Sequence, residues 1–119
     1  ALVVRLGFHF SSEEGRLLEN LVYIELRRRG GEIFYHNSGD AECDFVVRDG
    51  FRVTMAVQVC YLMDNIDTRE RELRGIQDAM NTYHLSEGFI ITNTHEEEID
   101  CKYGIVHILP AWKWLKKGH

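Results

Sequence analysis

An aspartate, Asp44, interrupts a strand-like run of this sequence. Asp44 lies between Cys43 and Phe45, in a stretch that otherwise looks half buried. Aspartate is depleted in strands and is costly to bury unless partners or a cation compensate its charge. Alternation places Gln58 and Cys60 on one face of the next strand-like run. If the two runs are hairpin neighbours, a carboxylate and an amide oxygen, both ligands for hard cations, lie beside a thiol.

The first predicted helix supplies two more carboxylates. Helical phase puts Glu19 at the border of the apolar stripe and Glu25 inside it. Taken alone, either glutamate is more often a boundary residue whose carboxylate reaches water. We expect the helix to bring Glu19 over the face that carries the strand residues, and whether Glu25 belongs to the site stays open. The apolar stripe itself is expected to comprise Leu17, Leu18, Leu21, Val22, Ile24 and Leu26.

The composition fits one small domain spanning residues 1–119. Hydrophobic residues make up 45% of the chain and charged residues 28%. No apolar run approaches the roughly 20 residues that cross a bilayer, so no membrane contact is expected. The net charge of −5 gives no support to nucleic-acid binding, because the whole-molecule field repels a polyanion. Three widely spaced cysteines, Cys43, Cys60 and Cys101, predict reduced, mostly buried thiols in a cytoplasmic protein.

The elements that position the candidate residues follow from periodicity and turn signals. A serine at 11 or 12 caps a first helix, which Gly30 and Gly31 end. Short turns then make three strands antiparallel neighbours. A second amphipathic helix precedes an apolar run typical of a buried parallel strand. The predicted helices span about 13–29, 67–85 and 111–117, and the predicted strands span 32–37, 42–50, 51–61, 88–94 and 105–110.

This order, α-β-β-β-α-β-β-α, predicts an α/β or α+β domain with a mixed central sheet flanked by helices. The polar stretch at 95–104 is expected to be a loop. Trp112 and Trp114 are expected to clamp the terminal helix onto the sheet rather than stack on a nucleic-acid base. No Walker P-loop is present, so we expect no ATP hydrolysis by this chain.

Several stretches resemble a known superfamily. The pattern of "GRLLE" on a helix, "ECDFVV" on a strand and "VQVCY" on the next strand resembles the core of PD-(D/E)XK, restriction-endonuclease-like nucleases. More specifically, "GRLLENLVYIELRRRG", "AECDFVV", "AVQVCYLMD", "TRERELRGI" and "ILPAWKWL" look like the C-terminal domain of unknown function of bacterial and archaeal AAA-family ATP-binding proteins. That resemblance covers nearly the whole chain and implies a C-terminal fragment of a longer ATPase.

The superfamily resemblance implies roles for four positions. In such nucleases the strand acids hold Mg²⁺ or Mn²⁺, the helix glutamate assists, and a lysine positions the attacking water. By resemblance, Asp44 and Glu19 keep their roles, Gln58 replaces the second acid and Cys60 replaces the lysine. Gln58 brings an oxygen without charge, and Cys60 brings no fixed cation, so weak metal binding by Asp44, Gln58 and Glu19 and reduced or absent nuclease activity are expected.

The sequence is compatible with three functions. The first is a catalytically impaired nuclease-fold accessory domain that acts in interaction or regulation. Its expected partners are the N-terminal ATPase domain of the same polypeptide, another protein or nucleic acid. The second is an active metal-dependent DNA or RNA nuclease, in which Gln58 serves as a ligand and a water or an arginine replaces the lysine. The third is a purely structural or oligomerisation domain that uses sheet edges and the terminal tryptophan helix.

Overall fold

The computed structural model describes residues 12–116 and confirms a mixed sheet flanked by helices. Six strands lie in the order β1-β2-β3-β4-β6-β5. The elements are α1 (Glu13–Arg29), β1 (Glu32–Asn37), β2 (Glu42–Asp49), β3 (Arg52–Val59), α2 (Ile66–Tyr83), β4 (Glu87–Thr92), β5 (Glu97–Cys101), β6 (Gly104–Pro110) and α3 (Ala111–Lys116). None of the helices between residues 12 and 116 is long and apolar enough to cross a bilayer.

Helix α1 begins and ends where the sequence predicts. The Ser12 hydroxyl caps it by accepting a hydrogen bond from the Gly15 amide at 3.0 Å. Gly30 ends it at a φ of 93°, where a side chain would be strained. The alternative cap, the serine at position 11, lies outside the described residues.

The apolar stripe predicted for α1 is only half correct. Leu18, Val22 and Leu26 are buried against the sheet. Three other members of the stripe face solvent instead: Leu17, Leu21 and Ile24 are 63%, 41% and 58% exposed. The helix is apolar on more than one side, and a helix that rests on a sheet can bury only the side that faces it.

The sheet combines antiparallel and parallel strand pairs. Strands β1, β2 and β3 form the expected antiparallel meander. Strand β4 is parallel to β3 and to β6, as its continuous apolar run predicts. Helix α2 is therefore the crossover between two parallel neighbours. The Asn65 side chain caps α2 by accepting a hydrogen bond from the Thr68 amide at 2.8 Å.

The loop expected at 95–104 is wrong, because half of it forms an edge strand. Strand β5 pairs antiparallel with β6 and extends the sheet to six strands. Its burial alternates, with Ile99 and Cys101 half buried and Glu98 and Asp100 exposed. An edge strand needs only one half-buried face, and charge on the other face protects it from pairing with other chains. The acidic residues thus obscured a strand signal of period two.

Two apolar clusters fill the space on either side of the sheet. One joins α1 and α3 to Val57, Val59 and neighbouring strand residues. The other joins α2 to Ala56, Cys60 and neighbouring strand residues. Successive side chains of β3 therefore point alternately towards α1 and α3 on one side of the sheet and towards α2 on the other.

The terminal helix is held by one tryptophan, not two. Trp114 is fully buried, and the Arg29 guanidinium lies 4.4 Å from its ring centroid. Trp112 points outward and is 62% exposed, so the expectation that both tryptophans clamp α3 is wrong for Trp112. In a helix, residues two apart point in roughly opposite directions, so α3 can bury only one of them.

Candidate functional site

Asp44 and Gln58 meet where β2 and β3 separate. Backbone pairing of the two strands reaches Phe45 opposite Val57. Beyond that pair, hydrogen bonds from side chains to the backbone connect the strands. The Gln58 Oε1 accepts a hydrogen bond from the Asp44 amide at 2.8 Å, and the Asp44 Oδ2 accepts one from the Val59 amide at 2.7 Å. The structure thus brings together the two strand residues that their types and spacing singled out.

The amide nitrogen of Gln58 extends this connection to helix α2. It donates to the Glu42 carbonyl at 2.9 Å and to the Glu72 carbonyl at 3.4 Å. Gly75 makes the close approach feasible, because a Cβ there would lie 2.0 Å from the Glu42 oxygen and 2.5 Å from Gln58 Nε2. One glutamine side chain therefore ties β2, β3 and α2 together while 3% exposed.

Glu72 is a buried acid that sequence reasoning missed. It lies on α2 and is only 2% exposed. It precedes Ile76 by four positions, which places it on the apolar side of α2. This helical phase, which located Glu19 and Glu25 on α1, is the signal that could have found it. The Arg71 guanidinium lies 3.5 Å from its carboxylate.

Cys60 is a neutral thiol at this site. Burial, first of all, and then the negative charge of Glu72 raise its pKa to about 12, against an opposing effect of Arg71. Its Sγ donates to the Leu62 carbonyl at 3.2 Å. A protonated thiol cannot supply the positive charge that a lysine would supply at this position.

Glu19 lies on the helix that covers the opposite face of the sheet. The residues beside it on α1, Leu18 and Val22, pack in the cluster that contains Val57 and Val59. Gln58 instead reaches α2, and Cys60 packs in the α2 cluster. The expectation that α1 covers the face carrying Gln58 and Cys60 is therefore wrong. Glu19 itself is buried at 7% exposure, and its role in a site remains a prediction.

Glu25, the second glutamate of α1, binds two arginines of its own helix. Its carboxylate accepts hydrogen bonds from Arg28 and, at 2.7 Å, from Arg29. The bond from Arg28, with help from Arg29, lowers the pKa of Glu25 to about 2. This carboxylate belongs to an ion-pair network at the end of α1 that also positions Arg29 over Trp114.

The donor set fits a divalent cation poorly. Mg²⁺ and Mn²⁺ take charged carboxylate oxygens, whereas Gln58 contributes no charge and its oxygen already accepts a backbone hydrogen bond. Among residues 12–116, no group of three or more histidine, cysteine, aspartate or glutamate side chains is arranged to hold a metal ion. The side chains of Asp44 and Gln58 are thus better suited to bind backbone groups than to bind Mg²⁺ or Mn²⁺.

The fold and this cluster together define a class of protein. They describe an α+β domain with a mixed sheet, in which a buried acid and a buried amide join two separating strands to a crossover helix. The chain belongs to the family described as Domain of unknown function (DUF4143), whose model matches residues 14–114.

A curated relative extends the comparison to an archaeon. The chain is 34% identical over 115 residues to the uncharacterized protein MJ1544 of Methanocaldococcus jannaschii. The match covers 88% of this chain but only 25% of that protein, so the chain spans about a quarter of its relative's length. No solved structure matches the chain.

Proposed function

We propose that this chain is a nuclease-like accessory domain without nuclease activity, which acts in interaction or regulation as the C-terminal module of an AAA-type ATPase. DUF4143 domains typically stand at the C-terminus of such ATPases. The relative is long enough to hold an ATPase domain, since the match covers only 25% of it. The proposed partner is accordingly the ATPase domain of the same polypeptide.

The proposed lack of nuclease activity is supported by one observation, the hydrogen bonding of Gln58. Its amide uses both the acceptor and the donor end to hold backbone groups of β2 and α2. A glutamate in its place could not donate to the two carbonyls, and its charge would face them. Gln58 therefore serves as a structural tie that requires an amide, rather than as a metal ligand that lost its charge. Cys60, protonated and buried, adds no catalytic cation.

A second candidate, a metal-dependent nuclease with rearranged ligands, has support from α2. The buried acids Asp44 and Glu72 both raise the pKa of Cys60 and so lie near one thiol, and Arg71 is a cation beside them. In this alternative Glu72 replaces the acid missing at position 58, and Arg71 replaces the missing lysine.

Metal binding and cleavage separate the two candidates. Mn²⁺ is titrated by calorimetry into the native chain, into Asp44→Asn and into Asp49→Asn, a control at an exposed strand end. The proposal predicts no binding below millimolar Mn²⁺, and no cleavage of linear, branched or single-stranded DNA or RNA by any of the three proteins. Binding or cleavage that Asp44→Asn abolishes and Asp49→Asn retains would establish the nuclease instead.

The accessory role has its own test in the full-length polypeptide. The rate of ATP hydrolysis is measured with the domain present, with the domain deleted, and with the isolated domain added back to the deleted form. We expect deletion to change the rate and the added domain to restore it at least in part. An unchanged rate in all three samples would contradict a regulatory role.

A further inference from the structure

Helix α1 carries an apolar stripe on its outer side. Leu17, Leu21 and Ile24 are spaced four and then three residues apart, so they form one line along the helix. All three are exposed, Leu17 most of all at 63%. They lie on the side away from the buried Leu18 and Val22, and so no other part of the described sheet or helices covers them. We call Leu17, Leu21 and Ile24 the outer stripe.

Charges of opposite sign flank the outer stripe. Two exposed acids, Glu13 and Glu14, stand at the start of α1, and two exposed bases, Arg27 and Arg28, stand at its end. Arg28 also binds Glu25 of the same helix, but its side chain remains 68% exposed. The helix thus reads, from one end to the other, as acidic, apolar and basic.

This pattern is complementary to itself when the helix is reversed. A two-fold axis between residues 20 and 21 sets Leu17 opposite Ile24 of another copy. By helical phase, Glu13 and Arg27 lie on one flank of the outer stripe, and Glu14 and Arg28 lie on the other flank. The same axis therefore brings Glu13 near Arg27 and Glu14 near Arg28 of the other copy. The apolar residues and both charge pairs therefore agree on a single register to within one residue.

We propose that the outer stripe is the contact surface of a homodimer, in which the α1 helices of two copies pack antiparallel. An isologous interface requires a surface that is complementary to itself about a two-fold axis. A surface that binds an unrelated partner has no need of this property. The helix has 17 residues and is about 26 Å long. Because each copy contributes only three apolar residues to the contact, we expect a reversible dimer with a Kd on the order of micromolar.

Sedimentation of the chain at several concentrations tests the surface. The native chain is expected to change from monomer to dimer as its concentration rises. Leu21→Asp should raise the dimer Kd at least roughly a hundredfold, because both copies place the charge in the contact. Phe51→Asp is the matched control, since Phe51 is fully exposed in the β2–β3 turn, and its Kd should equal that of the native chain. A native chain that stays monomeric to millimolar concentration, or a dimer that Leu21→Asp leaves intact, overturns the proposal.

Charge reversal tests the antiparallel register and the choice of a second copy. One variant combines Glu13→Arg with Glu14→Arg, and the other combines Arg27→Glu with Arg28→Glu. Each variant alone should remain monomeric, because like charges then meet at both ends. An equimolar mixture should form a heterodimer with a Kd within about tenfold of the native value. Circular dichroism confirms that both variants are folded. A mixture that remains monomeric overturns the antiparallel arrangement.

Discussion

The hydrogen bonds of Gln58 predict the effect of placing an acid at that position. Gln58→Glu removes the two donated hydrogen bonds to the Glu42 and Glu72 carbonyls. It also places a carboxylate at a position that is 3% exposed, close to the buried acids Asp44 and Glu72. Leaving a buried charge unpaired costs about 3–5 kcal/mol. We expect the variant to lose about 4 kcal/mol of unfolding free energy at pH 8, a large share of the ~5–15 kcal/mol of a typical domain.

The loss should depend on pH in a definite direction. Burial and neighbouring acids raise the pKa of the new carboxyl in the folded state above its value in the unfolded chain. The folded state then holds a proton that the unfolded chain has released, so stability falls as the pH rises between the two pKa values. The penalty is therefore complete at pH 8 and shrinks as the pH falls into the ordinary range of a glutamate, where both states are protonated.

Urea unfolding followed by circular dichroism measures both effects, at pH 8 and at pH 5. Gln58→Met is the matched control, because it removes the hydrogen bonds of Gln58 without adding charge. It should cost about 2–3 kcal/mol at both pH values. The extra loss in Gln58→Glu at pH 8 then reports the charge alone. Equal losses in the two variants at pH 8, or a Gln58→Glu chain as stable as the native one, would refute the reasoning.

Three further predictions concern the same side of the sheet and the end of α1. Gly75→Ala should lower the free energy of unfolding by about 2–3 kcal/mol in thermal unfolding, because its Cβ would lie 2.0 Å from the Glu42 oxygen. The control, Glu70→Ala on the exposed side of α2, should have little effect. Iodoacetamide at pH 8 should label the half-exposed Cys101 before Cys60, whose pKa is about 12, and mass spectrometry showing equal rates would contradict that assignment. The pKa of Glu25 is lowered to about 2, so its ion pairs stabilise the fold above the ordinary glutamate range and stop doing so as the pH falls towards 2. The stability difference between the native chain and Glu25→Gln, about 1 kcal/mol or less, should thus shrink below about pH 4, and a difference that grows there would contradict the pairing.

Local signals in the sequence predicted much of the fold. The serine cap and the glycine stop set the bounds of α1, and short turns set the antiparallel order of β1, β2 and β3. The continuous apolar run of β4 indicated a buried parallel strand. These features depend on interactions within a few residues, which a single sequence records directly. Strand β5 escaped because its acids dominate a short, half-buried edge.

The partners of the site residues were harder to predict, because they depend on which side of the sheet each helix takes. Alternation placed Gln58 and Cys60 on one face but could not show that α2, rather than α1, covers it. Glu72 could have been found from its phase with Ile76, since a buried acid on an apolar helix face is uncommon. The exposure of Leu17, Leu21 and Ile24 could not, because apolar residues on two sides of a helix do not reveal which side meets the sheet.

The contrasting positions of the two tryptophans of α3 give the molecule two intrinsic optical reporters. Trp114 is fully buried beneath Arg29, whereas Trp112 is 62% exposed on the outside of the same helix. A collisional quencher in the solvent reaches Trp112 and leaves Trp114 emitting. The unquenched emission, from Trp114, therefore reports the docking of α3 on the sheet. The quenchable emission, from Trp112, reports any molecule that covers the exposed side of α3. Events on the two sides of one short helix can be separated in a single fluorescence experiment, without any attached label.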